Sequence, residues 1–269
     1  TLDGLDYFNP RTATFTHFRH DPQNPASLSN DRIQAVFCDS DSVVWIATAL
    51  GLNKFDRKHN RWKRYFHDSS AKSLPNSWVK HLMRDSEGTL WITTVGGICR
   101  YNPDGDNFTV YGSQNGLTNE YVYGIVEDAK GFLWMGTDKG LARFDKHKGV
   151  FRMYEAADGL QSSEFNTNAF YRTSDGYLLF GGVNGINIFD PREMLTPGFT
   201  PNLYITNILV NNQPTVPGDK SGVLKSTIEQ TRSITLNHQQ DILTLEFASL
   251  DFTQPSLNKY RYKLEGADE

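Results

Sequence analysis

The stretch FLWMGTDKGLARFD at residues 132–145 decides the fold, because it returns. VVWIATALGLNKFD begins at Val43, TLWITTVGGICRYN at Thr89 and YLLFGGVNGINIFD at Tyr177. Trp45, Trp91, Trp134 and Leu179 share one position, spaced by about 45 residues, and Gly51, Gly97, Gly140 and Gly185 share another. A partial fifth copy opens the chain, where Gly4 to Asn9 matches Gly51 to Asp56. A period of this length marks repeated supersecondary units, each unable to bury its own faces alone.

The repeats predict short strands. The first complete copy divides into Ile33–Cys38, Val43–Thr48, Leu52–Phe55 and Trp62–Phe66, with turn-forming residues between them. The second gives Val79–Arg84, Leu90–Thr94, Ile98–Tyr101 and Phe108–Tyr111, and the third Val122–Glu127, Phe132–Gly136, Leu141–Phe144 and Val150–Tyr154. In the fourth, Thr167–Arg172, Tyr177–Phe180 and Ile186–Phe189 are visible and a fourth strand is not. Leu5–Phe8 and Phe15–Phe18 read as the outer half of a unit whose inner half lies upstream. Four antiparallel strands in about 45 residues is the arithmetic of a β-propeller blade. In LWMGT, Trp134 and Gly136 point one way and Leu133 and Met135 the other, as a strand sandwiched between blades requires.

The period stops after Asp190-Pro191. Residues 192–202 carry Pro197, Gly198 and Pro201 and read as a linker. Runs at Leu203–Val210, Ser233–Leu236, Ile242–Ser249 and Tyr260–Leu264 then predict strands, the third half-buried by its alternation. The expected fold is all-β: about four four-stranded blades of a partial β-propeller over 1–191, then the start of an immunoglobulin-like sandwich over 203–269. The chain starts within a repeat, so it is expected to be a piece of something longer.

Composition narrows the function classes. A net charge of −4 without a basic run gives no footprint for nucleic acid. No window approaches the ~18 apolar residues of a membrane span. Cys38 and Cys99 sit at unrelated places in different repeats, with no zinc-ligand spacing, and are expected to be buried free thiols. No cofactor or metal is expected. Asp39-Ser40-Asp41 and Asp85-Ser86-Glu87-Gly88 resemble oxygen-ligand loops for calcium, yet Lys130 stands in the same place of the third repeat, and a hairpin turn needs these residue types anyway.

The motifs Gly116-Leu117-Thr118-Asn119, Leu133-Trp134-Met135-Gly136-Thr137 and Gly140-Leu141-Ala142-Arg143-Phe144-Asp145 resemble the two-component regulator propeller repeat. LEFASLDF at 245–252 and KYRYKLEGAD at 259–268 resemble the three-tyrosine domain that follows such propellers. The resemblance implies the periplasmic sensor region of a hybrid two-component system. It implies an oligosaccharide ligand, a homodimer of sensors, and a membrane helix, a histidine kinase and a response regulator further along the polypeptide. It implies no catalysis within this segment. The alternatives are a propeller lyase acting on a polysaccharide or lactone, and a passive protein-interaction scaffold. A lyase needs a histidine with converging carboxylates, and His81 alone lies within an inner strand.

A ligand site on repeated units belongs where the repeats differ. Trp45, Trp91 and Trp134 are constant and are expected in the blade-to-blade core. The entrance to each inner strand varies: Arg32, Trp78 and Tyr121 share one position, and Asp31, Ser77 and Glu120 the one before. Glu164 and Asn166 occupy the comparable loop of the fourth repeat. The candidate ligand-binding residues are therefore Arg32, Trp78, Tyr121, Glu120, Glu164 and Asn166, whose aromatic, amide and charged groups suit a sugar ring. Asn30, Asn76 and Asn119 recur and read as turn formers.

Overall fold

The computed structural model describes residues 2–194, 202–250, 260, 262 and 263. The chain divides into two units, Thr1–Met194 and Leu195–Glu269. In the first, β1 (Leu5–Asn9) and β2 (Thr14–Phe18) form a hairpin. Blade one follows as β3 (Ile33–Cys38), β4 (Val43–Thr48), β5 (Gly51–Asp56) and β6 (Arg61–Tyr65). Blade two comprises β7 (Val79–Arg84), β8 (Leu90–Thr94), β9 (Gly97–Asn102) and β10 (Asn107–Tyr111). Blade three has β11 (Val122–Glu127), β12 (Leu133–Thr137), β13 (Gly140–Asp145) and β14 (Val150–Tyr154). The fourth blade has three strands: β15 (Phe165–Arg172), β16 (Leu178–Gly182) and β17 (Gly185–Phe189). Every sheet of this unit is an antiparallel meander in chain order, as the repeat predicts.

The repeated tryptophan is the wedge between blades. Trp45, Trp91 and Trp134 are each at most 2% exposed. Trp45 shares a core cluster with Leu90 and Ile92 of the next blade, Trp91 with Leu133 and Met135, and Trp134 with Leu178 and Phe180. Each also faces the third-strand aromatic of the next blade: Tyr101 at 4.8 Å, Phe144 at 5.6 Å and Phe189 at 5.1 Å between ring centroids. Removing such a ring to Ala costs about 3–5 kcal/mol. The buried indole N–H must find an acceptor. Trp91 donates to Asp85 at 2.9 Å, Trp134 to Asp128 at 2.8 Å and Trp45 to Asp39 at 3.3 Å. The other oxygen of Asp85 and Asp128 accepts turn N–H groups, from Glu87 and Thr89 and from Lys130 and Phe132. These carboxylates thus serve turn and indole together. In blade four, Leu179 replaces the indole and Thr173 the carboxylate; the Thr173 hydroxyl still accepts the Tyr177 N–H at 2.9 Å.

A second constant links the blades through the backbone. The N–H of Gly51 donates to the Ser77 carbonyl, that of Gly97 to Glu120 and that of Gly140 to Ser163, at 2.5 to 2.7 Å. Gly4 does the same to Asp31 at 2.9 Å, so the β1–β2 hairpin stands on blade one as the outer half of a blade. Phe18 of that hairpin meets Phe55 of blade one at 5.3 Å. Only these two strands cover that side of blade one among the described residues. That leaves Val36 and Cys38 exposed, which corrects the expectation that Cys38 is buried. Cys99 is buried, and burial pushes its thiol pKa up.

Charge ties blade three to blade two. The Lys146 side chain is 4% exposed, and its ammonium lies 3.0 Å from Asp85, 3.0 Å from Glu87 and 2.9 Å from Glu127. Burial alone lowers the pKa of such an amine; the bonds to Glu127, Glu87 and Asp85 outweigh it and hold the pKa raised. Removing this cation leaves buried carboxylates uncompensated, a cost of about 3–5 kcal/mol.

The second unit is a three-stranded antiparallel sheet, ordered β19 (Gln213–Pro214), β18 (Leu203–Val210), β20 (Leu243–Ser249). Two expectations are corrected here. Ser233–Leu236 is not a strand, because no neighbouring segment pairs with its backbone. The alternation of β20 is present, but Leu243, Leu245 and Phe247 are 38% to 45% exposed, since no second sheet covers them among the described residues. Of the Tyr260–Leu264 run, Tyr260, Tyr262 and Lys263 are described and lie in no strand, while positions 261 and 264 lie outside the described residues. No helix among the described residues is long and apolar enough to cross a membrane.

Two glycine substitutions test the interlock. Gly140 has φ +103°, and an added Cβ would strike the Tyr154 carbonyl oxygen. Gly88 has φ +85° and open space around it. Gly88→Ala is expected to cost about 1–2 kcal/mol, the left-handed penalty alone. Gly140→Ala is expected to cost at least about 2 kcal/mol more, read from urea unfolding midpoints.

Candidate functional site

The inner strands β3, β7 and β11 each begin in the same way. An asparagine two residues ahead of the varying position accepts that residue's backbone N–H: Asn30 from Arg32 at 2.9 Å, Asn76 from Trp78 at 2.8 Å, Asn119 from Tyr121 at 3.1 Å. These are the turn formers that the sequence suggests. They present Arg32, Trp78 and Tyr121 side by side on successive blades. The Arg32 guanidinium lies 5.3 Å from the Trp78 ring centre, and the Trp78 and Tyr121 rings meet edge to face at 6.3 Å.

Each inner strand then bulges. The register to the second strand slips between Ile33 and Ala35, between Val79 and His81, and between Val122 and Gly124. One extra residue sits in each slip: Gln34, Lys80 and Tyr123. A bulge re-aims its side chain, and here it delivers Lys80 and Tyr123 into the rim. The Lys80 ammonium lies 4.7 Å from the Trp78 ring centre, 5.0 Å from Tyr121 and 5.7 Å from Tyr123. Lys80 is 4% exposed, and no carboxylate pairs with it among the described residues. Each such ring contact contributes about 0.5–2 kcal/mol. Tyr121 and Tyr123 pack at 5.0 Å, and the Tyr123 hydroxyl donates to Asp138. Burial, then that bond, pushes the Tyr123 pKa up.

In blade four the slip is wider, between Phe165 and Phe170, and absorbs the two extra residues of this repeat. The Gly140 bond to Ser163 aligns Ser163 with Glu120, hence Glu164 with Tyr121 and Asn166 with Tyr123. Glu164 and Asn166 are exposed. Glu120 is turned away from the cluster, its carboxylate accepting the Ser113 N–H at 2.9 Å. Of the six residues the sequence singles out, the structure brings Arg32, Trp78 and Tyr121 into contact. Lys80 and Tyr123 complete the cluster and were not singled out. No local pattern in the sequence marks the bulge that places them there.

Blade two is polar where the other blades are small. The pair His81 and Thr93 occupies the place of Ala35 and Ala47, and of Gly124 and Gly136. Phe170 of blade four passes over Gly124, where any Cβ would collide with its ring, and meets His81 edge-on at 4.8 Å. His81 Nδ1, Thr93 Oγ1 and Trp78 Nε1 are buried without hydrogen-bond partners. No carboxylate bonds to His81 among the described residues. Burial pulls the His81 pKa down to about 4.

The two-component regulator propeller family matches residues 27–49, 73–96 and 116–139, which span the three entrances just described and their bulges. A histidine kinase, P4, of Formosa agariphila is 27% identical over 272 aligned positions, covering 99% of this chain. The chain spans 20% of that relative's length. Among solved structures, virginiamycin B lyase from Staphylococcus aureus is 17% identical, with a TM-score of 0.52 over 76% of this chain and 67% of its own; it shares the propeller fold. The extracellular domain of a hybrid two-component system from B. thetaiotaomicron aligns over 99% of this chain and 42% of its own, at 19% identity and a TM-score of 0.44. Three segments of the chain match the two-component regulator propeller model, within an all-β fold of antiparallel blades.

The neutral, buried His81 makes stability depend on pH. Its folded pKa of about 4 lies below the ~6.5 of an unfolded histidine, so its contribution is complete above pH 6.5 and is lost as pH falls toward 4. The expected slope is at most about 1.4 kcal/mol per pH unit in that window. His81→Leu should flatten the fall in thermal midpoint between pH 7 and pH 5; an unchanged slope would contradict the assignment.

Proposed function

We propose that this chain is the ligand-sensing extracytoplasmic segment of a hybrid sensor histidine kinase and response regulator. It recognises an oligosaccharide at the rim formed by the inner-strand entrances and signals across a membrane to control transcription. The observation that carries the reading is the contact of Arg32, Trp78 and Tyr121 on adjacent blades, with ring faces and donors together at positions the repeat leaves free to vary. Flat apolar rings with directional polar groups between them suit a sugar. The matched repeat segments, and the alignment of nearly all of this chain to a fifth of a histidine kinase, support the signalling role.

The finer elements belong to the same proposal. The sheet of β18 to β20 is the beginning of a three-tyrosine domain with an immunoglobulin-like sandwich architecture. The segment is periplasmic and works as a homodimer. A ligand that prefers one arrangement of the sensors over another shifts the population toward it, and that shift is the signal.

Calorimetry with a panel of neutral and acidic oligosaccharides tests the binding site. Trp78→Ala with Tyr121→Ala is expected to weaken saccharide binding at least 30-fold, the scale of a central aromatic anchor. Trp62→Ala, which lies outside the rim, should leave affinity within about twofold. Binding that survives the double substitution would overturn the reading.

A further inference from the structure

We infer that the rim selects an anionic saccharide, whose carboxylate or sulfate group is received by Lys80 and Arg32. The inference rests on the sensing reading above and specifies its ligand class.

Two lysines near blade two, Lys80 and Lys146, have almost fully buried side chains, and they are treated in opposite ways. Lys146 has three carboxylates within 3.0 Å. Its charge is neutralised inside the fold, and its role is to join blades. Lys80 has three aromatic rings instead, and no hydrogen bond or ion pair among the described residues. Arg32, exposed above the same tryptophan, likewise has its backbone N–H bonded but no acceptor for its guanidinium. Ring faces orient a cation without satisfying its hydrogens.

Donors accumulate at this one place. Lysine, arginine and the indole N–H can donate only, and Trp78 Nε1 is buried without an acceptor. A ligand that completes such a site must bring acceptors, and a charged one answers the unbalanced cations. A neutral sugar supplies hydroxyls but leaves two positive charges uncompensated. A carboxylate or sulfate on the ring supplies both acceptor oxygens and charge, while the sugar's apolar face lies on Tyr121. The acids nearby do not fill this role. Asp138 is engaged by the Tyr123 hydroxyl, and Glu120 by the Ser113 N–H. Glu164 is exposed on blade four, and no ion pair joins it to Arg32 or Lys80 among the described residues.

The test is calorimetry of the 269-residue chain against three matched sets of oligosaccharides: oligouronates and their methyl esters, sulfated oligosaccharides and their desulfated forms, and neutral glucans, fructans and mannans. The expected result is that one acidic set binds and its esterified or desulfated counterpart binds at least tenfold more weakly. Which set binds distinguishes carboxylate from sulfate. Lys80→Met and Arg32→Gln should each weaken the acidic ligand at least tenfold, and raising salt from 50 to 500 mM should weaken it further. Arg32 is exposed, so Arg32→Gln remains informative if Lys80→Met lowers the thermal midpoint. If only neutral sugars bind, in a manner sensitive to Trp78→Ala but not to Lys80→Met or Arg32→Gln, the anionic inference is overturned while the saccharide reading stands. If no set binds, both are overturned.

Discussion

A tryptophan buried between two sheets must place one N–H, and in this protein that requirement organises the blade. Asp85 and Asp128 sit in the turn before the strand that carries the indole, and each accepts the indole with one oxygen and the turn amides with the other. The turn, the tryptophan's orientation and the receiving surface of the next blade are thereby fixed together. The glycine that follows donates its N–H to the next blade's entrance, so wedge and entrance are set at a constant offset. Where the indole is lost, at Leu179, the carboxylate is lost with it, replaced by Thr173. The two residues behave as one device.

That rigid repetition gives the variable positions their meaning. The wedge tryptophans are spent on packing and are not available to a ligand. The side chains that differ from blade to blade stand where the asparagine turn and the bulge place them. Trp78 is the tryptophan outside the wedge series whose N–H is buried and unbonded, and it stacks with Lys80, Arg32 and Tyr121. Blade two also carries His81 and Thr93, polar at a place where the neighbouring blades have alanine or glycine.

Much of this was legible from the chain alone. The period located every blade strand within a few residues, because glycine and turn residues repeat with the hydrophobic runs. The asparagine turns and the burial of the repeated tryptophans follow from their constancy. The bulge was not legible: one extra residue leaves no mark in composition, and it moved Lys80 and Tyr123 into a site that the sequence placed at the entrance alone. Nor could the sequence tell that Glu120 turns to Ser113, since the choice depends on a turn built from residues 112–115. The Lys146 cluster joins residues as far apart as Asp85 and Lys146, and no local pattern announces it. In the second unit, alternation correctly indicated a strand at β20, yet alternation records only which residues share a face. Whether that face is covered depends on another sheet.

The division between constant and variable tryptophans can be read directly from the indole 15N–1H correlations of the protein. The chain has five tryptophans and so five indole signals. On addition of a saccharide that binds, the Trp78 signal should shift in proportion to occupancy, because its N–H is unbonded and its ring forms the rim. The signals of Trp45, Trp91 and Trp134, held by their aspartates inside the blade interfaces, should stay in place. A Trp78 signal that does not move while a wedge tryptophan does would contradict the account at its centre.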